Sequence, residues 1–359
     1  MPLTLLMLIP AGLLLLAVGA HLLVSSASRL ARWLRIPPLV IGLTVVAFGT
    51  SAPELTVSLR SALNGQGDIA VGNVLGSNIF NVLVILGLCA LIAPLQVRRQ
   101  LVRLDVPLMI GASLLAWLLA LDQHYSLLDG LVLFACLLGY LAALYVHARK
   151  GAAIQPQPQP ASAPAAQETH ASALKAVLSM LAGLGLLVVG ADWLITGAVA
   201  LARTLGLSEL IIGLTLVAAG TSLPELATSV FAALRNERDI AVGNIVGSNL
   251  FNLLGVLGLS ALAAPGLSVS PNALAFDFPV MTAVAVACLP VFFAGYRISR
   301  WEGLLFLGYY LAYILYLALF TTGQPLASTF ATAMLGYAVP LTIVTLLIVT
   351  ARAWRRQRK

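Results

Sequence analysis

The chain consists mainly of long apolar runs, each separated from the next by a short polar or charged segment. A helix needs about 20 apolar residues to cross the hydrocarbon core of a bilayer. Eleven segments meet this length and predict membrane-spanning helices. They lie near residues 3–25, 38–62, 69–92, 104–121, 127–147, 173–201, 209–234, 240–263, 273–295, 301–321 and 327–351.

The composition agrees with this pattern. Of the 359 residues, 60% are hydrophobic and only 9% are charged, with a mean hydropathy of +0.99. A soluble protein of this size could not cover such a surface with polar groups, so the surrounding solvent must be lipid. The sequence therefore predicts an all-α membrane protein whose partner is the lipid bilayer.

The net charge of +7 could suggest a nucleic-acid partner, but the placement of the charges favours a membrane topology. If the spans alternate across the membrane, 18 of the 20 Lys and Arg residues fall on one side, and only Arg60 and Arg203 fall on the other. An excess of Lys and Arg marks the cytoplasmic side. We therefore predict a multi-pass protein of the cytoplasmic membrane, with its N-terminus outside, its C-terminus inside and no nucleic-acid partner.

An internal repeat organises the chain. Residues 42–90 align with 213–261 at a constant offset of 171, and 30 of the 49 positions are identical. Each copy carries five predicted spans, so the second copy enters the membrane from the opposite side. The sequence thus predicts two inverted-topology five-helix repeats that form a ten-helix core, a recurrent plan among transporters.

The repeat also predicts the division of the chain. The first five-helix repeat covers 1–150 and the second covers 173–321. Residues 151–172 are rich in Pro, Gln and Ala and predict a cytoplasmic linker. Residues 322–359 predict one extra C-terminal transmembrane helix with a basic cytoplasmic tail. We interpret this helix as packing or anchoring.

Each copy carries a Thr-Ser pair followed by Pro-Glu inside an apolar span: GTSAPE at 49–54 and GTSLPE at 220–225. Pro53 lacks an N–H and its ring clashes with the carbonyl of Gly49, so the helix should break there and free carbonyl oxygens around Ala47 to Gly49. Pro224 should do the same in the second copy near Ala218 to Gly220. Unpaired carbonyls at membrane depth must line a cavity or meet a cation. Hydroxyl, carbonyl and carboxylate groups therefore converge in each copy.

The following span of each copy carries a polar stripe. Asn73, Ser77 and Asn81 recur at every fourth residue, and their repeat equivalents are Asn244, Ser248 and Asn252. Residues at this spacing share one helix face. Glycines at 72, 76, 243 and 247 have the same spacing and allow close helix contact. The stripe can also be interpreted as interhelical hydrogen bonding alone.

All of these candidate ligands are oxygen atoms, which hard cations prefer, and Ca²⁺ takes 6–8 of them. Glu54 and Glu225 would together neutralise one divalent ion. An ionisable residue inside a membrane span is a functional candidate by default. The alternative is a neutral Glu that neighbouring groups satisfy, but two equivalent Glu residues beside Pro make this interpretation weaker.

These motifs resemble the α-repeats of the cation/calcium exchanger superfamily, in its sodium/calcium exchanger branch. GTSAPE and GTSLPE carry the resemblance together with GSNIFN at 76–81 and GSNLFN at 247–252. It covers residues 1–321 and implies cation sites at the centre of a ten-helix core. The short linker is similar to that of the prokaryotic type.

The resemblance also implies a ligand set. It assigns Ca²⁺ to Glu54 and Glu225, with Asn81 and Asn252 completing the central site. Hydroxyl or carbonyl groups would serve Na⁺ and Ca²⁺ at Thr50, Ser51, Thr221, Ser222, Ser77 and Ser248, and carbonyls would do so at Ala47 and Ala218. Some relatives have Asp at the position of Asn252, so the central charge here is one lower.

The implied function is antiport of Ca²⁺ against Na⁺ by alternating access, with these ions as substrates and no cofactor. The Thr-Ser pair in both copies favours Na⁺, and a Ca²⁺/H⁺ antiporter on the same fold is the alternative. A channel would need a continuous pore, usually with rings of ligands from several subunits. An enzyme is not expected, because the site contains no nucleophile paired with a base. The sequence does not determine the oligomeric state.

The charge distribution generates a topology test. Single cysteines at Gln155 and Lys359 should both resist a membrane-impermeant thiol reagent in intact cells, because both positions lie on the Lys- and Arg-rich side. A cysteine at Asn64, in the loop after the second span, should be labelled. Labelling of either cytoplasmic position from outside would reverse the predicted orientation.

Overall fold

The computed structural model describes residues 3–154, 170–205 and 218–357, which are mostly helical. The middle of the predicted linker (155–169), the first part of the predicted seventh span (206–217) and Lys359 lie outside the described residues. The helices are α1 (Leu3–Leu34), α2 (Pro38–Thr50), α3 (Ala52–Leu63), α4 (Gly67–Ile92), α5 (Leu101–Leu119), α6 (Leu127–Ile154), α7 (His170–Thr204), α8 (Ala218–Gly220), α9 (Leu223–Leu234), α10 (Arg238–Ala263), α11 (Ala273–Phe293), α12 (Arg300–Thr321) and α13 (Leu326–Ala351, whose last turns continue to Gln357).

The helices confirm the predicted fold class. Within the described residues, nine helices are long and apolar enough to cross a membrane, and the bent pair α2–α3 makes ten. The predicted seventh span is described only in part, as α8 and the apolar helix α9. Helices α6 and α7 extend into both ends of the predicted linker, to Ile154 and from His170.

Helices α2 and α3 form one span that is bent by 45° at Ser51. Pro53 stands at the start of α3, where its missing N–H removes no hydrogen bond from the new helix. In the second repeat, α8 ends at Gly220 and α9 begins at Leu223 after a turn at Thr221 and Ser222, with Pro224 at the start of α9. The break predicted from the two prolines is therefore present.

Glycines set the closest helix contacts between the repeats. A Cβ on Gly12 would lie 2.7 Å from the carbonyl oxygen of Gly190, and one on Gly19 would lie 2.8 Å from that of Gly183. These pairs join α1 to α7. Only hydrogen side chains permit such an approach, which lets two lipid-facing helices pack tightly without a hydrophobic driving force.

The same device joins the outer helices. Gly87 of α4 meets Gly303 of α12, where a Cβ on Gly87 would lie 2.9 Å from the Gly303 carbonyl oxygen. Gly130 of α6 meets Gly258 of α10 with the same 2.9 Å separation. The third helix of one repeat therefore packs on the fifth helix of the other, in both directions. Helices α4 and α10 become the most buried spans.

Two short antiparallel strand pairs link the repeats outside the helices. β1 (Leu95–Gln96) pairs with β4 (Arg297–Ile298), and β2 (His124–Tyr125) pairs with β3 (Leu267–Ser268). β1 and β2 lie at opposite ends of α5, so the two strand pairs lie at opposite ends of the helix bundle. β1 and β3 both follow the third helix of a repeat, yet they occupy opposite ends, as an inverted topology requires.

The last span, α13, packs on the outside of this core. The Tyr309 hydroxyl of α12 lies 2.6 Å from the Thr342 hydroxyl and donates to the carbonyl of Ala338 at 3.2 Å. Most of the large apolar side chains of α13 are exposed, Leu341 at 67% among them, as expected of a helix that faces lipid.

The glycine contacts generate a stability prediction. Gly183→Ala places a methyl group 2.8 Å from the carbonyl oxygen of Gly19, so α1 and α7 must separate. Overpacking of this kind costs about 1–3 kcal/mol. The apparent Tm of the detergent-purified protein should fall. The control Gly139→Ala, on the exposed face of α6 with no atom within 4 Å, should not lower it, because the added methyl group meets nothing and Ala favours a helix over Gly. Equal Tm values for the two variants would contradict the close α1–α7 contact.

Candidate functional site

The predicted ligand residues come together where the two broken spans meet α4 and α10. The α2–α3 break brings the Thr50-Ser51 pair and Glu54 to the centre, and the α8–α9 break brings their equivalents. Nine of these side chains are buried to at least 97%: Thr50, Ser51, Glu54, Ser77, Asn81, Ser222, Glu225, Ser248 and Asn252. Thr221 is partly buried. A centre this polar is otherwise avoided at membrane depth.

Serine and glutamate residues pair crosswise between the repeats. The Ser51 hydroxyl donates to Oε1 of Glu225 at 3.1 Å, and the Ser222 hydroxyl donates to Oε1 of Glu54 at 2.9 Å. Each break therefore holds the carboxylate of the other. Only one oxygen of each carboxyl group is occupied in this way.

Threonine and asparagine residues also pair crosswise. The Thr50 hydroxyl donates to Oδ1 of Asn244 at 3.1 Å, and the Thr221 hydroxyl donates to Oδ1 of Asn73 at 3.2 Å. The amide groups of Asn73 and Asn244 in turn donate to Ser58 and Ser229, at 2.9 and 3.0 Å. These two serines stand behind the site and were not predicted from the sequence. The signal that could have predicted them is their position: each lies four residues after the glutamate of its repeat.

A second pair of residues, Asn78 and Asn249, was also missed. The Asn81 amide donates to Oδ1 of Asn249 at 3.0 Å, and the Asn252 amide donates to Oδ1 of Asn78 at 3.1 Å. Asn78 and Asn249 lie one residue beyond the serines of the stripe, on a different helix face. Their identity in both copies of the Gly-Ser-Asn motif was the only signal. A widened π turn follows in each helix, beginning at Asn81 in α4 and Phe251 in α10, and such turns occur often at functional sites.

The pairing leaves a symmetric set of oxygen atoms. Among the residues that the structure describes, six buried side-chain oxygens at repeat-equivalent positions have no hydrogen-bond partner: Oε2 of Glu54 and Glu225, Oγ of Ser77 and Ser248, and Oδ1 of Asn81 and Asn252. Buried polar atoms are rarely left unpaired. Three equivalent pairs of them, all on the two broken spans and on α4 and α10, favour the cation site predicted from the sequence.

The backbone differs from prediction at Ala47. Its carbonyl accepts the Ser51 N–H at 3.0 Å and the Thr50 hydroxyl at 3.4 Å. The expectation that the break frees this carbonyl is therefore wrong, because the α2 helix keeps its hydrogen bonds up to Ser51. In the second repeat, Ala218 is the first residue of α8, and its side chain lies outside the described part.

Two inverted repeats that enclose buried oxygen ligands between broken helices have the plan of a secondary transporter. The family model for "Sodium/calcium exchanger protein" matches residues 4–146 and 175–319. The chain therefore belongs to the sodium/calcium exchanger family, as its motifs predicted.

Individual relatives agree. The chain is 40% identical over 310 residues to the putative antiporter CaxA of Alkalimonas amylolytica, covering 84% of this chain and 95% of the relative. It is 41% identical over 280 residues to the inner membrane protein YrbG of Escherichia coli (strain K12), covering 77% and 84%. A solved structure of the sodium-calcium exchanger NCX_Mj, soaked with Na⁺ and Ca²⁺, is similar with a TM-score of 0.74 and 31% identity, covering 88% of this chain and 99% of that one.

Proposed function

We propose that this protein is a secondary active antiporter that exchanges Ca²⁺ for Na⁺ across the cytoplasmic membrane. The six unpaired oxygens at the centre of the molecule carry this proposal. They comprise two carboxylate, two hydroxyl and two amide oxygens, with no nitrogen or sulfur ligand among them. Ca²⁺ prefers such a set, whereas softer metals favour imidazole or thiolate.

Charge and ligand number both suit Ca²⁺. Glu54 and Glu225 supply at most two negative charges, which one Ca²⁺ balances. Their carboxylates would bind the divalent ion, while Ser77, Ser248, Asn81 and Asn252 add neutral oxygens. This brings the number of side-chain ligands to the lower limit of the 6–8 that Ca²⁺ takes.

The Na⁺ sites would use the hydroxyl and carbonyl groups that surround this centre. We assign them to Thr50, Ser51, Thr221 and Ser222, with the carbonyls of Ala47 and Ala218. The Ala47 carbonyl can still bind an ion, because a carbonyl oxygen has two lone pairs. The family model and the NCX_Mj relative both carry the name of sodium, which supports Na⁺ over H⁺ as the coupling ion.

Alternating access would follow from the inverted repeats. Each crosswise hydrogen bond at the site has a counterpart of opposite orientation, so a state open to one side would have an equivalent that is open to the other. The inner-membrane name of YrbG supports the location, and the Lys and Arg distribution supports a cytoplasmic C-terminus.

The carboxylates provide the first functional test. In Glu54→Gln, the amide oxygen can still accept from Ser222, so the amide nitrogen takes the position of the unpaired Oε2. A donor then faces the cation and one charge is lost, which in a buried site is worth several kcal/mol. We expect Ca²⁺ uptake into proteoliposomes to fall at least ~100-fold. Glu225→Gln should behave in the same way.

Glu302→Gln is the matched control. Glu302 is also buried and lies in a span, but its carboxylate accepts hydrogen bonds from Ser299 and caps its own helix. A glutamine can preserve that cap. Transport should be close to wild type. Rapid Ca²⁺ uptake by the Glu54→Gln or the Glu225→Gln variant would exclude the substituted glutamate as a Ca²⁺ ligand.

The coupling ion provides the second functional test. Proteoliposomes loaded with Na⁺ should accumulate radioactive Ca²⁺ when diluted into Na⁺-free buffer, because the Na⁺ gradient drives exchange. K⁺ loading should give no accumulation. The Ca²⁺/H⁺ alternative would instead give full uptake from a pH gradient alone, with no effect of Na⁺.

A further inference from the structure

Two asparagines outside the predicted ligand set, Asn78 and Asn249, connect α4 to α10 directly behind the site. Both are at least 97% buried. The Asn78 amide donates to the backbone carbonyl of Asn249 at 3.3 Å, and the Asn249 amide donates to the backbone carbonyl of Asn78 at 3.4 Å. The two residues therefore form a symmetric link between the repeats, with one side chain reaching each way.

The surroundings of each amide nitrogen fix the orientation of its side chain. Besides the carbonyl of Asn249, the Asn78 nitrogen faces the sulfur of Met281 at 3.7 Å. The Asn249 nitrogen faces the sulfur of Met109 at 3.5 Å. Carbonyl oxygens and thioethers can only accept hydrogen bonds. Neither asparagine can turn its Oδ1 toward these groups without losing its hydrogen bond.

The fixed orientation of the Asn78 side chain determines the orientation of the Asn252 amide. With its nitrogen fixed, Asn78 presents Oδ1 to Asn252, and that oxygen can accept only from the Asn252 amide nitrogen, at 3.1 Å. Asn252 must then direct its own Oδ1 away, and this is one of the unpaired buried oxygens. The same reasoning leads from Asn249 to Asn81.

We propose that Asn78 and Asn249 are positioning residues that orient the amides of Asn252 and Asn81, so that the site presents oxygen to the cation and not N–H. This inference rests on the proposed function, because it concerns the ligands of that same site. The coupling is crosswise: the asparagine of each repeat orients a ligand of the other repeat. Without it, an amide that rotated by half a turn would aim two hydrogen atoms at the bound ion.

The decisive experiment is a double-mutant cycle read out as equilibrium Ca²⁺ affinity of the detergent-purified full chain. Asn78→Leu removes the orienting amide at similar volume and should weaken Ca²⁺ binding about 10–100-fold, as loss of a group that supports a metal ligand does. In the Asn252→Ala background no amide remains to be oriented. There the same substitution should change the affinity by less than about threefold.

The crosswise pattern separates positioning from general destabilisation. In the Asn81→Ala background, Asn78→Leu should retain its full effect, because Asn249 orients Asn81. Cys288→Ser is the control, since Cys288 is equally buried in α11 but its thiol donates only to the carbonyl of Val284 in its own helix, and its affinity should stay within about twofold of wild type. Equal effects of Asn78→Leu in all backgrounds, or no effect in the wild type, would overturn the proposal.

Ca²⁺ binding by the wild type and by the Glu54→Gln variant separates failure of the proposed function from failure of the positioning role. If the wild-type protein binds no Ca²⁺, the proposed function itself fails. If it binds Ca²⁺ and Glu54→Gln abolishes binding, the cycle judges the positioning role alone. Should Asn78→Leu fail to give monodisperse protein, Asn78→Ala and the equivalent pair Asn249→Leu with Asn81→Ala carry the same comparison.

Discussion

The central constraint on this structure is that a polar atom inside a membrane must find a partner, because lipid offers none. At the centre of the molecule, the hydroxyl and amide donors of one repeat bond to acceptors of the other. Ser51 donates a hydrogen bond to Glu225, Thr50 donates one to Asn244, and Asn81 donates one to Asn249. Once these donors are engaged with protein atoms, four of the six unpaired atoms are carboxylate and amide oxygens, which act as acceptors, and the other two are serine hydroxyls, which can also turn a lone pair toward a cation. This excess of acceptors favours a cation as the ligand.

The surrounding architecture serves this arrangement. Two chain breaks must approach two intact helices closely enough for side chains as short as serine to bond across the interface. The glycines make that approach possible: a Cβ on Gly247 of α10 would lie 2.7 Å from the carbonyl oxygen of Leu43 in α2, and one on Gly243 would lie 2.9 Å from that of Leu39. The strand pairs β1–β4 and β2–β3 add a fixed connection at each end of the bundle. Backbone packing thus sets the distances at which the crosswise hydrogen bonds form.

Much of this could be predicted from the sequence. The length of the apolar runs predicted the helices, and the odd number of spans in each copy of the repeat predicted the inverted topology. The proline in each Pro-Glu pair located the breaks. Four-residue spacing predicted the stripe of Asn73, Ser77 and Asn81, because helical geometry places such residues on one face.

The remaining features have no local signal in the chain. Ser51 and Glu225 bond across 174 residues, and a repeat offset alone does not reveal which residue of one copy meets which residue of the other. Strands of two residues are too short to show alternation. Asn78 lies off the stripe and interacts through its partner in the other repeat. The prediction of a free carbonyl at Ala47 was wrong because Pro53 affects the carbonyl four residues before it, at Gly49, while the Ala47 carbonyl still accepts the N–H of Ser51.

The unpaired acceptors also explain why such a site would exchange one ion for another and would not remain empty after an ion leaves. The two carboxylates of Glu54 and Glu225 repel each other in a poorly solvated centre, and four further buried oxygens there have no hydrogen-bond partner. Departure of one cation therefore raises the free energy of the site until another cation arrives. Ions of different charge can satisfy the same oxygens if their total charge is similar. The electrostatics of this ligand set therefore disfavour an empty return, which is the condition that the proposed antiport requires.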